Sequence, residues 1–186
     1  MSAMADKIMK RVRAKGRGWV FTPKHFIDFG TRGSVDMALS RLAQAGEIRR
    51  IGRGLYDYPR LHDKLGALTP DAEMIAQAVS AQSGDRLAPS AAAAANRLGL
   101  STQVPAKSSY ATTGRTRVRK TAGRSVTLKH SRAPVLGHAS EAANGVVQFL
   151  AGLGRAKVDA DAISQLAARL DELHHAGADT HLLGTR

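Results

Sequence analysis

Between residues 3 and 14, apolar side chains recur as Met4, Ile8, Met9 and Val12, while Lys7, Lys10, Arg11 and Arg13 fill the remaining positions. That spacing predicts an amphipathic first helix. GRGWVFT then interrupts the pattern, and Thr22-Pro23 is helix-start chemistry, Thr as N-cap and Pro at the first helical position. KHFIDF is therefore expected as a short second helix that stops at Gly30. In TRGSVDMALSRLAQAGEI, Val35, Ala38, Leu39 and Leu42 stand at i, i+3, i+4 and i+7, which predicts a third helix buried along one face. Ser34 is its expected N-cap, Asp36 complements the positive end of the dipole, and Gly46 stands where a glycine ends a helix. The opposite face presents Met37, Ser40, Arg41 and Gln44, with Arg32 and Ser34 at the leading end. Met37 and Trp19 suit packing at a rim better than reading of bases.

Residues 48–51 and 55–58 are two strand-like runs, and GRG between them is turn chemistry. Three helices followed by a two-stranded ribbon is the order of a winged helix-turn-helix, whose third helix enters the DNA major groove while the wing lies along the backbone. On that reading Arg49, Arg50 and Arg53 point at phosphates or a narrow minor groove, and Tyr56 and Tyr58 anchor the wing to the body.

Further along, LHDKLGALTP reads as a connector in which Thr69 and Pro70 begin the next helix. DAEMIAQAVSAQ turns Met74, Ile75, Ala78 and Val79 inward, and Ser90 and Gly99 bound an alanine-rich helix. SSYATTG, TRVRK and RSVTLKH are β-type runs that predict a small antiparallel sheet with Val118, Val126 and Leu128 inward. Two amphipathic helices are expected over about 140–152 and 159–173, the second with a stripe of Ile163, Leu166, Ala167 and Leu170, its start marked by Asp159 and Asp161. The fold class expected is α+β: a winged helix-turn-helix over residues 1–62 and, over 63–186, a mixed helical domain with a small antiparallel sheet. Each part has apolar stripes enough to suggest an independent core.

Charge sharpens this picture. The 186 residues carry a formal charge of +13, and the excess is held in two blocks, +8 over residues 1–60 and +8 over 103–132, with −1 and −2 in the segments that follow each. Blocks suit a polyanion-binding surface better than general solubility. In the second block Arg115, Arg117, Arg119, Lys120, Arg124 and Lys129 crowd the sheet's outer face or edges. They are either a solvated edge or a second polyanion contact, to the same DNA, to RNA or to an acidic protein. Absence of cysteine removes disulfides and thiolate metal sites and suits a reducing cytoplasm. No signal-peptide core and no apolar run of membrane length is visible, so no membrane partner is expected. GxxxxGK[ST], HExxH and GxSxG are all missing, and no enzyme, cofactor or metal is expected. His174, His175 and His181 lack nearby carboxylates at ligand spacing.

The run SVDMALSRLAQAGEIRRIGRGLYDYP, preceded by a basic first helix and WVFTPKHF, resembles the N-terminal winged-helix domain of the AbiE-type (AbiEi) antitoxins. Leu42, Gly46, Arg49, Arg50, Gly54, Leu55 and Tyr56 carry the match. The resemblance implies binding of double-stranded DNA at inverted repeats in the operon's own promoter, and repression. More weakly, it implies a C-terminal α/β region that counteracts a nucleotidyltransferase-like toxin or its effect on a target. The alternative is a nucleic-acid-binding accessory module, RNA-directed, with no toxin partner. A protein-protein role for the winged helix is a further one.

Overall fold

The computed structural model describes residues 3–103, 107–137 and 140–182, with side chains up to residue 172. Helix α1 (Ala3–Lys15) buries Ile8, Met9 and Val12 of the expected stripe together with Ala5, whereas Met4 is half-buried. After β1 (Val20–Phe21), the expected second helix is a single 3-10 turn, Pro23–Phe26. Its carbonyls are used otherwise: Arg11 Nη1 donates to His25 O at 2.6 Å, and the Phe29 N–H closes back on Phe26 O at 3.0 Å. Arg11 also grips Asp28 through two bonds of 2.8 and 2.6 Å, and that contact holds the Asp28 carboxyl below its ordinary range. The turn is thereby tied to α1 instead of elongating.

Helix α2 (Arg32–Gln44) buries Val35, Ala38, Leu39 and Leu42. Its N-cap is Thr31 and not Ser34: the Thr31 side chain accepts from Ser34 N, while Ser34 Oγ donates back to Thr31 O at 2.8 Å. At the other end Gly46 adopts φ +74° and the Glu47 N–H reaches Leu42 O at 3.1 Å, the closing bond of a glycine-terminated helix.

Strands β2 (Arg49–Gly52) and β3 (Leu55–Asp57) join β1 in an antiparallel sheet ordered β1-β3-β2. All three residues of the central β3 are buried. Alternation along the strands divides them between two cores. Tyr56 and Phe21 pack with Phe26, Leu39 and Leu42 beneath α1 and α2. Leu55 and Val20 pack on the other side with Ile75 and Val79 of α3 (Ala72–Ser83). The intervening connector forms a small hairpin, β4 (Leu61–His62) with β5 (Gly66–Ala67), and Asp71 is the N-cap of α3, one residue past Pro70.

The rest is α+β, as expected. It comprises β6 (Leu87–Pro89), α4 (Ala91–Arg97), β7 (Ser108–Thr112), β8 (Arg117–Thr121), β9 (Arg124–His130), α5 (Glu141–Leu153) and α6 (Ala160–Leu182). Ser90 and Ser140 cap α4 and α5, and Asp159 caps α6 through Ala162 N at 2.9 Å. The four strands are ordered β6-β7-β9-β8: the outer pairs are antiparallel, and β7 and β9 run parallel at the centre. Strand β6 was not foreseen; its Pro89 is tolerated because the strand is at an edge. Val126 and Leu128 are buried against α3, in the same cluster as Val20 and Leu55. The second core therefore crosses the boundary expected at residues 62 and 63.

Val118, expected inward, is 55% exposed. The register pairs it with Thr127, whereas Arg117 and Arg119 oppose Leu128 and Val126 and share their face. Of the stripe on α6, Leu166 is buried but Ile163 is 55% exposed.

The turn between β8 and β9 has two residues of positive φ, Ala122 at 48° and Gly123 at 73°, the signature of a type I′ hairpin, which Asn-Gly fits best. An alanine held left-handed costs about 1–2 kcal/mol. Ala122→Asn should raise stability by about 1 kcal/mol, a gain of about 2–4 °C in Tm for a chain of this size. An unchanged or lower Tm in calorimetry would show that this turn is not strained.

Candidate nucleic-acid interface

On α2, positions 37, 40, 41 and 44 stack on one side because helical residues three and four apart are neighbours. Met37 is 57% exposed there, and Ser40, Arg41 and Gln44 are exposed beside it. Among the described residues, nothing forms an ion pair or side-chain hydrogen bond with Arg41. Arg32 is different: its Nε donates to both Asp36 carboxylate oxygens, at 3.1 and 2.9 Å, on the flank of the helix. Ser34, at the leading end, is exposed but engaged with Thr31. Of the five α2 residues singled out by sequence, Met37, Ser40 and Arg41 thus form the outward face, and Arg32 and Ser34 lie at its margin.

The hairpin that follows holds three arginines in two roles. Arg50 and Arg53 are exposed and without a partner among the described residues. Arg49 is instead committed to the protein's own groups. The register sets it opposite Asp57, and its Nε and Nη2 donate to the two carboxylate oxygens at 3.0 and 2.6 Å; Nη2 also reaches Leu68 O at 2.8 Å. The Asp57 side chain is only 1% exposed. Its hydrogen bonds raise the pKa of the Arg49 guanidinium, against the opposing effect of burial. The aromatic anchors sit as expected: Tyr56 stacks on Phe21 with ring centroids 6.2 Å apart, and Tyr58 lies under the Arg17 guanidinium at 4.6 Å.

The second basic block is likewise divided. Arg117 is drawn into the protein, where its Nη2 donates to Asp85 Oδ2 and Ser83 Oγ, both at 2.7 Å, at the end of α3. That contact and the Ser83 hydroxyl, the larger influence, keep the Asp85 carboxyl below the usual range. Arg115, Arg119, Lys120, Arg124 and Lys129 stay exposed. They do not form one face: Arg119 shares the side of Val126, Lys120 that of Ser125, and Arg124 borders a cleft with Asp57, Arg60 and Asp71.

A contact invisible in the sequence joins the two blocks. Thr121 Oγ1, at the end of β8, donates to the carbonyl of Ile51 in β2. At Gly52 an added Cβ would come within 3.1 Å of the same hydroxyl, so the two strands are in close approach there. The nearest sequence signal was a hydroxyl residue beside the AG turn, which does not specify a partner 70 residues away.

No group of three or more His, Cys, Asp or Glu able to hold a metal occurs among the described residues. The side chains of His174, His175 and His181 lie outside them. No helix among the described residues is long and apolar enough to cross a membrane. Residues 7–176 match the family described as "Family of unknown function (DUF6088)". No curated protein and no solved structure matches the chain.

Proposed function

We propose that this chain, which belongs to the DUF6088 family, is a DNA-binding repressor of its own promoter and the antitoxin of an AbiE-like toxin-antitoxin pair. The order α1, β1, 3-10 turn, α2, β2, β3, with a sheet arranged β1-β3-β2, fits a winged helix-turn-helix whose second helix is reduced to one turn. In that arrangement α2 lies in the major groove and the β2–β3 hairpin follows the backbone. The observation that carries the reading is the pairing pattern of the arginines. Arg41, Arg50 and Arg53 are exposed and unpaired among the described residues, while Arg32 and Arg49 are held by Asp36 and Asp57. Arg41 is the base reader, with Ser40 and Gln44 beside it to donate or accept at base edges, and Arg50 and Arg53 neutralise phosphates. A cytoplasmic repressor bound at inverted repeats blocks transcription by occupancy. The antitoxin role rests on the resemblance of residues 34–59 to AbiE-type proteins.

The test is an electrophoretic shift with the DNA upstream of the gene. An arginine bidentate to guanine is worth about 1–3 kcal/mol of discrimination. Arg41→Ala should therefore reduce the preference for upstream over mixed-sequence duplex by about 5- to 150-fold. Retention of full preference, or tighter binding to single-stranded RNA than to either duplex, would overturn the reading. The antitoxin role is checked by growth rescue when the chain is expressed beside a neighbouring nucleotidyltransferase-like toxin.

A further inference from the structure

Two positive blocks that are far apart in sequence meet at one place in the fold. The Thr121–Ile51 hydrogen bond and the close approach at Gly52 bring the end of β8 against the hairpin edge. Arg50 is one residue from Ile51 and Lys120 one residue from Thr121, with Arg53 and Arg119 a single step further from the contact. At about 3.3 Å of strand per residue, these four backbone positions cluster within the reach of their own side chains. All four are exposed, and none has an ion-pair partner among the described residues. The carboxylates beside the two sheets, buried Asp57 and half-buried Asp85, are already paired with Arg49 and Arg117. Unpaired like charges gathered at one junction repel each other, and a polyanion turns that repulsion into attraction.

We infer that Arg119 and Lys120 continue the cationic strip begun by Arg50 and Arg53, and bind the phosphate backbone of the same DNA duplex as α2. The inference rests on the DNA-binding reading above and adds a second strand pair to its footprint. Duplex DNA is the occupant because the strip is continuous with the hairpin that follows the backbone in that reading. Duplex DNA also offers a negative charge about every 1.7 Å along its axis. The Thr121 bond fixes β8 relative to the hairpin, and because β8 and β2 are both edge strands, Arg119 on one face of β8 and Lys120 on the other flank a single edge along which the duplex lies. Contacts of this kind carry no sequence information; they add affinity and salt dependence.

The experiment uses the full chain, with Arg119→Gln and Lys120→Gln combined, and measures binding to the upstream duplex and to a mixed-sequence duplex over a range of salt. Each lost phosphate contact flattens the log–log salt dependence by about 0.9, so the slope should fall by about 1.8 on both duplexes. Sequence preference should be unchanged. The charge-conserving pair Arg119→Lys and Lys120→Arg should keep the native slope, which separates loss of charge from loss of fold. If the glutamine pair keeps the native slope while Arg50→Gln with Arg53→Gln lowers it, the DNA-binding reading stands and this inference fails. If the native chain binds neither duplex, the underlying reading fails and this inference falls with it.

Discussion

Replacing Arg49 by alanine lowers the free energy of unfolding by about 3–5 kcal/mol. Arg50→Ala, one residue on, changes it by no more than about 0.5 kcal/mol. The difference follows from what each leaves behind. Arg50 is exposed and its removal strands nothing. Without Arg49, the Asp57 carboxylate stays 1% exposed with neither of its guanidinium bonds, and Leu68 O loses its donor. A buried charge without a partner costs far more than the pair itself contributes. Asp57→Asn is the milder change, about 1–3 kcal/mol, because the amide still accepts a bond and Arg49, about a third exposed, keeps some hydration. The double substitution Arg49→Met with Asp57→Leu should recover much of the loss, since an apolar pair of similar volume replaces a buried ion pair at little cost. Urea denaturation of the four variants is the measurement. Equal stability of Arg49→Ala and Arg50→Ala would return Arg49 to the outer surface of the hairpin.

A second large effect is expected on cutting the chain between β3 and α3. Residues 65–186 expressed alone should lose cooperative unfolding and bind hydrophobic dyes, and residues 1–62 should do the same. The shared core explains why: Val20 and Leu55 come from one side of the cut, Ile75, Val79, Val126 and Leu128 from the other. Fully burying an aliphatic side chain of this size is worth about 1.5–3 kcal/mol, and a whole domain is stable by only about 5–15 kcal/mol. Exposing this cluster removes about 3–6 kcal/mol from residues 1–62, which lose cover over Val20 and Leu55, and more from residues 65–186, a large share of that total. Co-expressed, the two fragments should reassemble into one particle. A sharp two-state transition for residues 65–186 alone would show that α3 and the four-stranded sheet suffice without Val20 and Leu55.

Local signals were legible where one element decides its own outcome. The i, i+3, i+4, i+7 spacing identified the buried side of α2, and therefore its exposed side with Ser40 and Arg41. The Ser90 cap forms as its position predicts. Signals failed where a partner distant in sequence decides. KHFIDF follows the helix start at Thr22-Pro23, yet Arg11 takes the His25 carbonyl and the helix stops after one turn. Arg117 and Arg119 look alike in TRVRK, but only Arg117 meets Asp85, 32 residues away. Val118 has the apolar side chain of an inward position, and the register imposed by β9 turns it out. The parallel pairing of β7 with β9 has no local signature, because strands that run parallel are joined by longer connections.

Strand β3 is three residues long and has no side facing water. Leu55 must be apolar to suit α3, Tyr56 must be aromatic to stack on Phe21, and Asp57 must carry the charge that Arg49 completes. Three consecutive positions thus answer to three unrelated neighbours, and a single substitution at any of them disturbs a buried contact. Sequence drift in this chain has to pass around that segment, through the exposed face of α2 and the outer strands. Those are the surfaces that carry the DNA contacts proposed above. The fold therefore concentrates its intolerance in a short central strand and leaves the exposed positions free to vary.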